Sequence, residues 1–126
     1  MTNARRQIGK TGEMLAGDYL ENHGYTILER NYRCRFGEID IIARDEAGIA
    51  FVEVKRRTSH RFGDPKWAIT PQKQKKISMT ALWYLKSKSQ QQVKARFDVL
   101  TIQSEKGDHR IRLLKNAFEL AYSGRM

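Results

Sequence analysis

A single α/β domain built on a mixed β-sheet is the fold this sequence predicts, and three observations predict it. The chain has 126 residues, 40% apolar and 30% charged, which suits one domain at ~100–200 residues per domain. Two segments repeat apolar residues at helical spacing, and five shorter ones are rich in Ile, Val, Phe and Tyr, as strands are. Their order is α-β-β-β-α-β-β. The connection from the third strand to the fourth carries the second helix, as a right-handed crossover between parallel strands requires.

The first helix is expected from Gly9 to Gly24, where Leu15, Ala16, Tyr19 and Leu20 share a face and Gly24 ends it. Tyr25–Arg35 follows as a strand whose alternation is only rough. Glu38–Arg44 and Ile49–Arg56 are clear strands, and Asp45-Glu46-Ala47-Gly48 between them has turn chemistry, so the pair reads as a β-hairpin. Thr58–Ala68 is irregular, broken by Gly63, Asp64 and Pro65. The second helix opens with Thr70 as N-cap and Pro71 at its first position, then runs to about Lys88 with Ile77, Ala81, Tyr84 and Leu85 as its apolar stripe. Arg96–Gln103 and His109–Leu114 are strands around a Glu105–Asp108 turn. Residues 1–8 and 121–126 are expected to be tails.

Composition narrows the function. No stretch is long and apolar enough to span a bilayer. The basic residues of the first few positions have no apolar segment behind them, so no secretory signal is expected. One cysteine, Cys34, leaves no intrachain disulfide and no cysteine-rich zinc site, which suits the cytoplasm. His23, His60 and His109 lack metal-ligand spacing, and no phosphate-binding loop motif occurs. The net charge is +10, and residues 55–96 hold twelve basic residues against Asp64 alone. So lopsided a distribution points to a polyanionic partner, nucleic acid before acidic lipid or acidic protein.

The hairpin holds the candidate chemistry. Side chains alternate along a strand, so Glu53 and Lys55 share one face of the second hairpin strand and Asp40 lies on one face of the first. A two-residue loop at Glu46-Ala47, or a four-residue loop at Asp45–Gly48, sets Asp40 opposite Glu53, with Cβ atoms ~4.5–5.5 Å apart. A three-residue loop would part them. Facing carboxylates destabilise a sheet unless something compensates, and Mg²⁺ or Mn²⁺ does so with one or two carboxylates, water and substrate phosphate. Lys55, on the same face, could reach the attacking water or a phosphate oxygen. Such a group suits metal-assisted phosphodiester hydrolysis. The competing interpretation is a solvated face on which Glu53 pairs with Lys55 or Arg44.

The segments Arg35-Phe36-Gly37-Glu38-Ile39-Asp40-Ile41-Ile42 and Phe51-Val52-Glu53-Val54-Lys55-Arg56-Arg57 resemble the PD-(D/E)xK nuclease superfamily. From Gly9 to about Leu120 the chain is similar to the small bacterial YraN family, predicted to be endonuclease-like and related in fold to archaeal Holliday junction resolvases. The resemblance implies a restriction-endonuclease-like core. It implies Asp40, Glu53 and the Val54 carbonyl as metal ligands, Lys55 as catalytic lysine, and Glu13 as the acid that resolvase-like members carry on their first helix. Ile39 stands where the superfamily motif is named for proline. Glu13 also aligns with Ala16 and Leu20 beside the buried stripe of its helix, where an acid needs a partner; a place in the helix's first turn explains it equally.

Arg56, Arg57 and Arg61 follow the hairpin, and Lys73 and Lys76 lie at the start of the second helix, where phosphate is attracted. Lys73, one turn before Ile77, is the leading phosphate ligand. Phe62 and Trp67 are expected to pack a loop onto the core or to stack on an unpaired base, and Trp83 and Tyr84 to be core. Together these residues point to a Mg²⁺- or Mn²⁺-dependent endonuclease acting on DNA, branched or flapped DNA included. A non-catalytic nucleic-acid-binding module of the same fold is the alternative, and a basic adaptor for RNA or an acidic protein stands behind it. Oligomeric state is open, with a homodimer among the options.

Overall fold

The computed structural model describes residues 2–57, 69–90, 93–105 and 107–118. Helix α1 (Thr2–Asn22) leads into strands β1 (Thr26–Cys34), β2 (Gly37–Asp45) and β3 (Gly48–Arg57), then helix α2 (Pro71–Ser87) and strands β4 (Ala95–Glu105) and β5 (Asp108–Phe118). The element order and the α/β class are those expected. The largest boundary differences are that α1 begins at Thr2 rather than Gly9 and that β5 continues past Leu114 to Phe118, whose ring stacks on Phe97 with centroids 4.8 Å apart. Strand β4 likewise extends to Glu105. Residues 121–126 lie outside the described residues, as do Arg61, Phe62 and Trp67.

The strands form one open sheet in the order β1-β2-β3-β4-β5. Every neighbouring pair is antiparallel except β3 and β4, which run parallel with α2 in the connection between them. Each face carries a core. Ile39, Ile42, Ile49, Phe51, Phe97 and Val99 pack under Ile77, Ala81, Tyr84 and Leu85 of α2. On the other face Ile41, Ala43, Ala50, Val52, Leu100 and Ile102 pack under Ala16 and Leu20 of α1. The central strands are therefore apolar on both sides, as a sheet covered by helices on both faces must be.

Helix α2 starts as its sequence dictates. The Thr70 hydroxyl accepts the Lys73 N–H at 3.2 Å and Pro71 takes the first helical position, a cap that contributes about 1 kcal/mol. Its axis points Tyr84 inward, at 4% exposure, but Trp83 outward at 39%. The expectation that both are core is corrected: a step of ~100° around the helix carries Trp83 from the sheet to the rim, where it meets Phe36 edge-on at 5.7 Å.

The β2–β3 hairpin closes on a two-residue loop. Asp45 pairs with Gly48, and the ladder continues through Arg44–Ile49, Ala43–Ala50, Ile42–Phe51 and Ile41–Val52. Asp45 Oδ1 caps the turn by accepting the Ala47 N–H at 2.9 Å and the Gly48 N–H at 3.2 Å. Gly48 has φ 141°, and any Cβ there would run into the Lys94 carbonyl. Only glycine suits that position.

A carboxylate pair beside two lysines

The hairpin register carries Asp40 and Glu53 to adjacent places one step beyond the last paired residues, Ile41 and Val52. Alternation along β3 puts Glu53, Lys55 and Arg57 on the α2 side with Ile49 and Phe51. Along β2 the alternation breaks. Ile39 belongs to the α2-side core and Ile41, two residues on, to the α1-side core. Asp40 sits at the break.

The break has a partner on β1. Asn31, between Arg30 (paired with Ile41) and Tyr32 (paired with Ile39), has φ 51°, a left-handed conformation that asparagine tolerates better than most residues. Around it the strand changes faces: Arg30 reaches Glu21 on α1 at 3.8 Å, whereas Tyr32 meets Tyr84 on α2 with centroids 5.1 Å apart. Asp40 is thereby released from the pleat, and its Oδ2 accepts the Val54 N–H at 2.8 Å. A side chain takes the place of a ladder carbonyl where β2 and β3 part.

Glu53 is 7% exposed. Its Oε1 lies 3.3 Å from Lys73 Nζ, while Oε2 is buried and has no hydrogen-bond partner among the described residues. Burial first, then the adjoining Asp40 carboxyl, raises the Glu53 pKa to about 8, against the pull of Lys73 and Lys55. Burial also lowers the Lys55 pKa, and the Lys73 ammonium beside it lowers it further. Burial works against the charge of Lys73 as well, but Glu53 and Asp40 outweigh it, and the Lys73 pKa is raised.

This donor set suits a hard divalent cation. Two carboxylates and the adjoining Val54 carbonyl are oxygen ligands of the kind Mg²⁺ takes, and one or two carboxylates suffice when water and phosphate complete the octahedron. The Glu53 oxygen that lacks a hydrogen-bond partner among the described residues is one that a cation could take as a ligand. Among the described residues no group of three or more acidic, His or Cys side chains gathers. Glu13 in particular does not join the pair: its Oε2 accepts a 3.4 Å bond from Asn31 Nδ2. Asn31 lies between the β1 residues paired with Ile39 and Ile41, so Glu13 bonds to the strand that runs beside Asp40.

The basic residues divide. Arg57 shares the site's face by alternation, Lys73 is in it, and Lys76 is exposed on α2 beside Gly37. Arg56 points the other way and lies so close over α1 that a Cβ at Gly12 would come within 2.5 Å of its Cδ. Arg96, counted among the basic residues of the 55–96 segment, is spent inside the protein. It donates to Asp45, Asp98 and Tyr25. Sequence reasoning missed this second cluster, although one signal was present: Asp98 is an acid in the middle of an apolar strand. It also missed Asn31 and the Lys73–Glu53 contact.

Comparison with known proteins finds relatives over nearly the whole chain. The chain is 55% identical over 116 residues to a UPF0102 protein of Syntrophus aciditrophicus, a match covering 92% of this chain and 91% of that one. It is 51% identical over 122 residues to a UPF0102 protein of Geobacter metallireducens, covering 97% and 100%. Among solved structures, Pyrococcus furiosus SfsA in complex with Ca²⁺ aligns with 13% identity and a TM-score of 0.39, over 89% of this chain and 62% of that one. Residues 12–102 match the model of the uncharacterised protein family UPF0102. The resemblance to YraN, read from the Gly37–Asp40 and Phe51–Arg57 segments, is a resemblance to this same family, and the chain belongs to UPF0102.

Proposed function

We propose that this protein is a Mg²⁺- or Mn²⁺-dependent endonuclease that hydrolyses phosphodiester bonds of DNA, branched or flapped DNA included, in the cytoplasm. The observation that carries the proposal is Glu53: a buried carboxylate with an unsatisfied oxygen, set against Asp40 and two lysines. A purely binding surface gains nothing from two acids where phosphates must approach. Asp40, Glu53 and the Val54 carbonyl would hold the cation, which when bound would lower the pKa of a water and neutralise charge on phosphorus. Lys55, half-buried and with a lowered pKa, is suited to exchange a proton with the attacking water or the leaving oxygen. Lys73, Lys76 and Arg57, with Arg61 from the segment after β3, bind the phosphate backbone.

Two results are expected. Binding of duplex DNA should weaken steeply, by orders of magnitude between ~50 and ~200 mM salt if ~6–10 phosphates are contacted, with little preference for sequence. Mn²⁺-dependent cleavage of branched, single-stranded or duplex substrates should appear in gel assays, and Lys55→Ala should lower it by at least about 10²-fold while calorimetry still records Mn²⁺ binding. A flat salt response removes nucleic acid as the partner. Binding without cleavage of any of these substrates leaves a non-catalytic module of the same fold, and an active Lys55→Ala protein removes the lysine from the chemistry.

A further inference from the structure

Lys73 stands in two places that cannot be used at once. Its backbone belongs to the first turn of α2, whose first turn holds no acidic residue and whose N-cap is Thr70. A cation on that turn opposes the helix dipole unless an anion arrives. Its ammonium, however, reaches away from the turn to lie 3.3 Å from Glu53 Oε1. There, among the described residues, it is the basic group in ion-pair contact with a carboxylate that is more than nine-tenths buried and whose other oxygen is unsatisfied. Lys73 is a tethered cation seated at the carboxylate pair.

A divalent ion on Asp40 and Glu53 would meet that ammonium as a like charge at close range, where repulsion is strong. We infer that Lys73 is a latch exchanged between two oxygen partners: it holds Glu53 while the carboxylate pair lacks its metal, and swings to a substrate phosphate at the start of α2 when the metal takes Glu53. This inference rests on the metal-dependent nucleic-acid reading and adds its regulation, namely an order in which metal arms the protein for phosphate. Two consequences follow from linkage. Lys73 must weaken metal binding in the absence of DNA, because it competes for the same oxygen. It must also count as a phosphate contact only when metal is present, and the coupling is reciprocal.

The full-length wild type, Lys73→Met and Lys73→Arg are to be compared with Ca²⁺ as the metal and a short DNA duplex as the ligand. Thermal melts establish that each variant folds; the cap survives substitution because it uses only the Lys73 backbone N–H. Calorimetry should find Ca²⁺ bound at least about fivefold more tightly by Lys73→Met than by the wild type. In chelator, wild type and Lys73→Met should show equal slopes of log affinity against log salt. With Ca²⁺, the wild-type slope should steepen by about one more phosphate contact than that of Lys73→Met, and Lys73→Arg should restore the increment. A Lys73→Met slope reduced equally with and without Ca²⁺ would make Lys73 a permanent phosphate contact and overturn the latch. Unchanged Ca²⁺ affinity overturns it too. If the wild type binds neither Ca²⁺ nor DNA, the metal-dependent reading itself fails, and the latch goes with it.

Discussion

Glu53→Gln should make the metal-free protein more stable and the Mn²⁺-treated protein no better. In the folded chain burial and Asp40 raise the Glu53 pKa to about 8, so folding favours the protonated carboxyl. The stability carried by that proton is fully present below the ordinary glutamate range. It is lost as pH climbs towards 8, because ionised Glu53 is comfortable only in the unfolded chain. Glutamine imitates the protonated form at every pH. The advantage of Glu53→Gln should therefore be negligible near pH 4 and grow as pH rises towards 8, to a few kcal/mol at most, less whatever the Lys73 contact returns.

Mn²⁺ reverses the order. A ligand that binds only the folded state raises stability by mass action, and binding at the pair must expel the Glu53 proton, so Mn²⁺ affinity should rise with pH up to about 8. Thermal melts of the wild type, Asp40→Asn and Glu53→Gln across this pH range, with and without Mn²⁺, read both effects. Cleavage should vanish with Mn²⁺ binding in both variants. A Glu53→Gln protein that melts lower at all pH values, beside a wild type indifferent to Mn²⁺, would show that Glu53 is simply the structural partner of Lys73.

The parts of this site that could be read from the sequence are those fixed by short-range rules. Asp45-Glu46-Ala47-Gly48 is turn chemistry, and a two-residue loop leaves one register; from it the approach of Asp40 to Glu53 follows by counting. Thr70-Pro71 is a helix start for the same local reason. What escaped depends on side chains choosing among distant partners. A count of basic residues cannot distinguish Lys73, which reaches Glu53, from Arg56, which lies over Gly12, or from Arg96, which is consumed between two aspartates. Nor does a merely rough alternation in β1 say where it fails. The left-handed Asn31, which turns Arg30 and Tyr32 to opposite faces, is a tertiary decision that asparagine permits without announcing.

Arg96→Met should cost about 3–5 kcal/mol, the range for stripping one partner from a buried charge pair. Asp98 is fully buried. Its carboxylate accepts both contacts of Arg96 Nε at 3.2 Å and the Asn116 N–H at 2.9 Å. The same guanidinium donates to both oxygens of Asp45, at 3.2 and 2.8 Å, and to the Tyr25 hydroxyl at 2.7 Å. Arg96 thus ties β4 to the residue that caps the β2–β3 turn, and that turn sets the register on which Asp40 and Glu53 meet. Burial already raises the Asp98 pKa, with Asn116 and Arg96 pulling the other way. Without Arg96 the group is driven further towards its neutral form. The variant should consequently regain stability as pH falls and Asp98 takes up a proton, whereas an Asp98→Asn change made on top of Arg96→Met should recover part of the loss at neutral pH and flatten the pH dependence. Urea titrations of the two variants and the wild type at neutral and mildly acidic pH measure both. If Arg96→Met costs less than about 1 kcal/mol, the value of an exposed pair, the cluster does not anchor the hairpin, and the register must be held by the Asp45 and Gly48 turn alone.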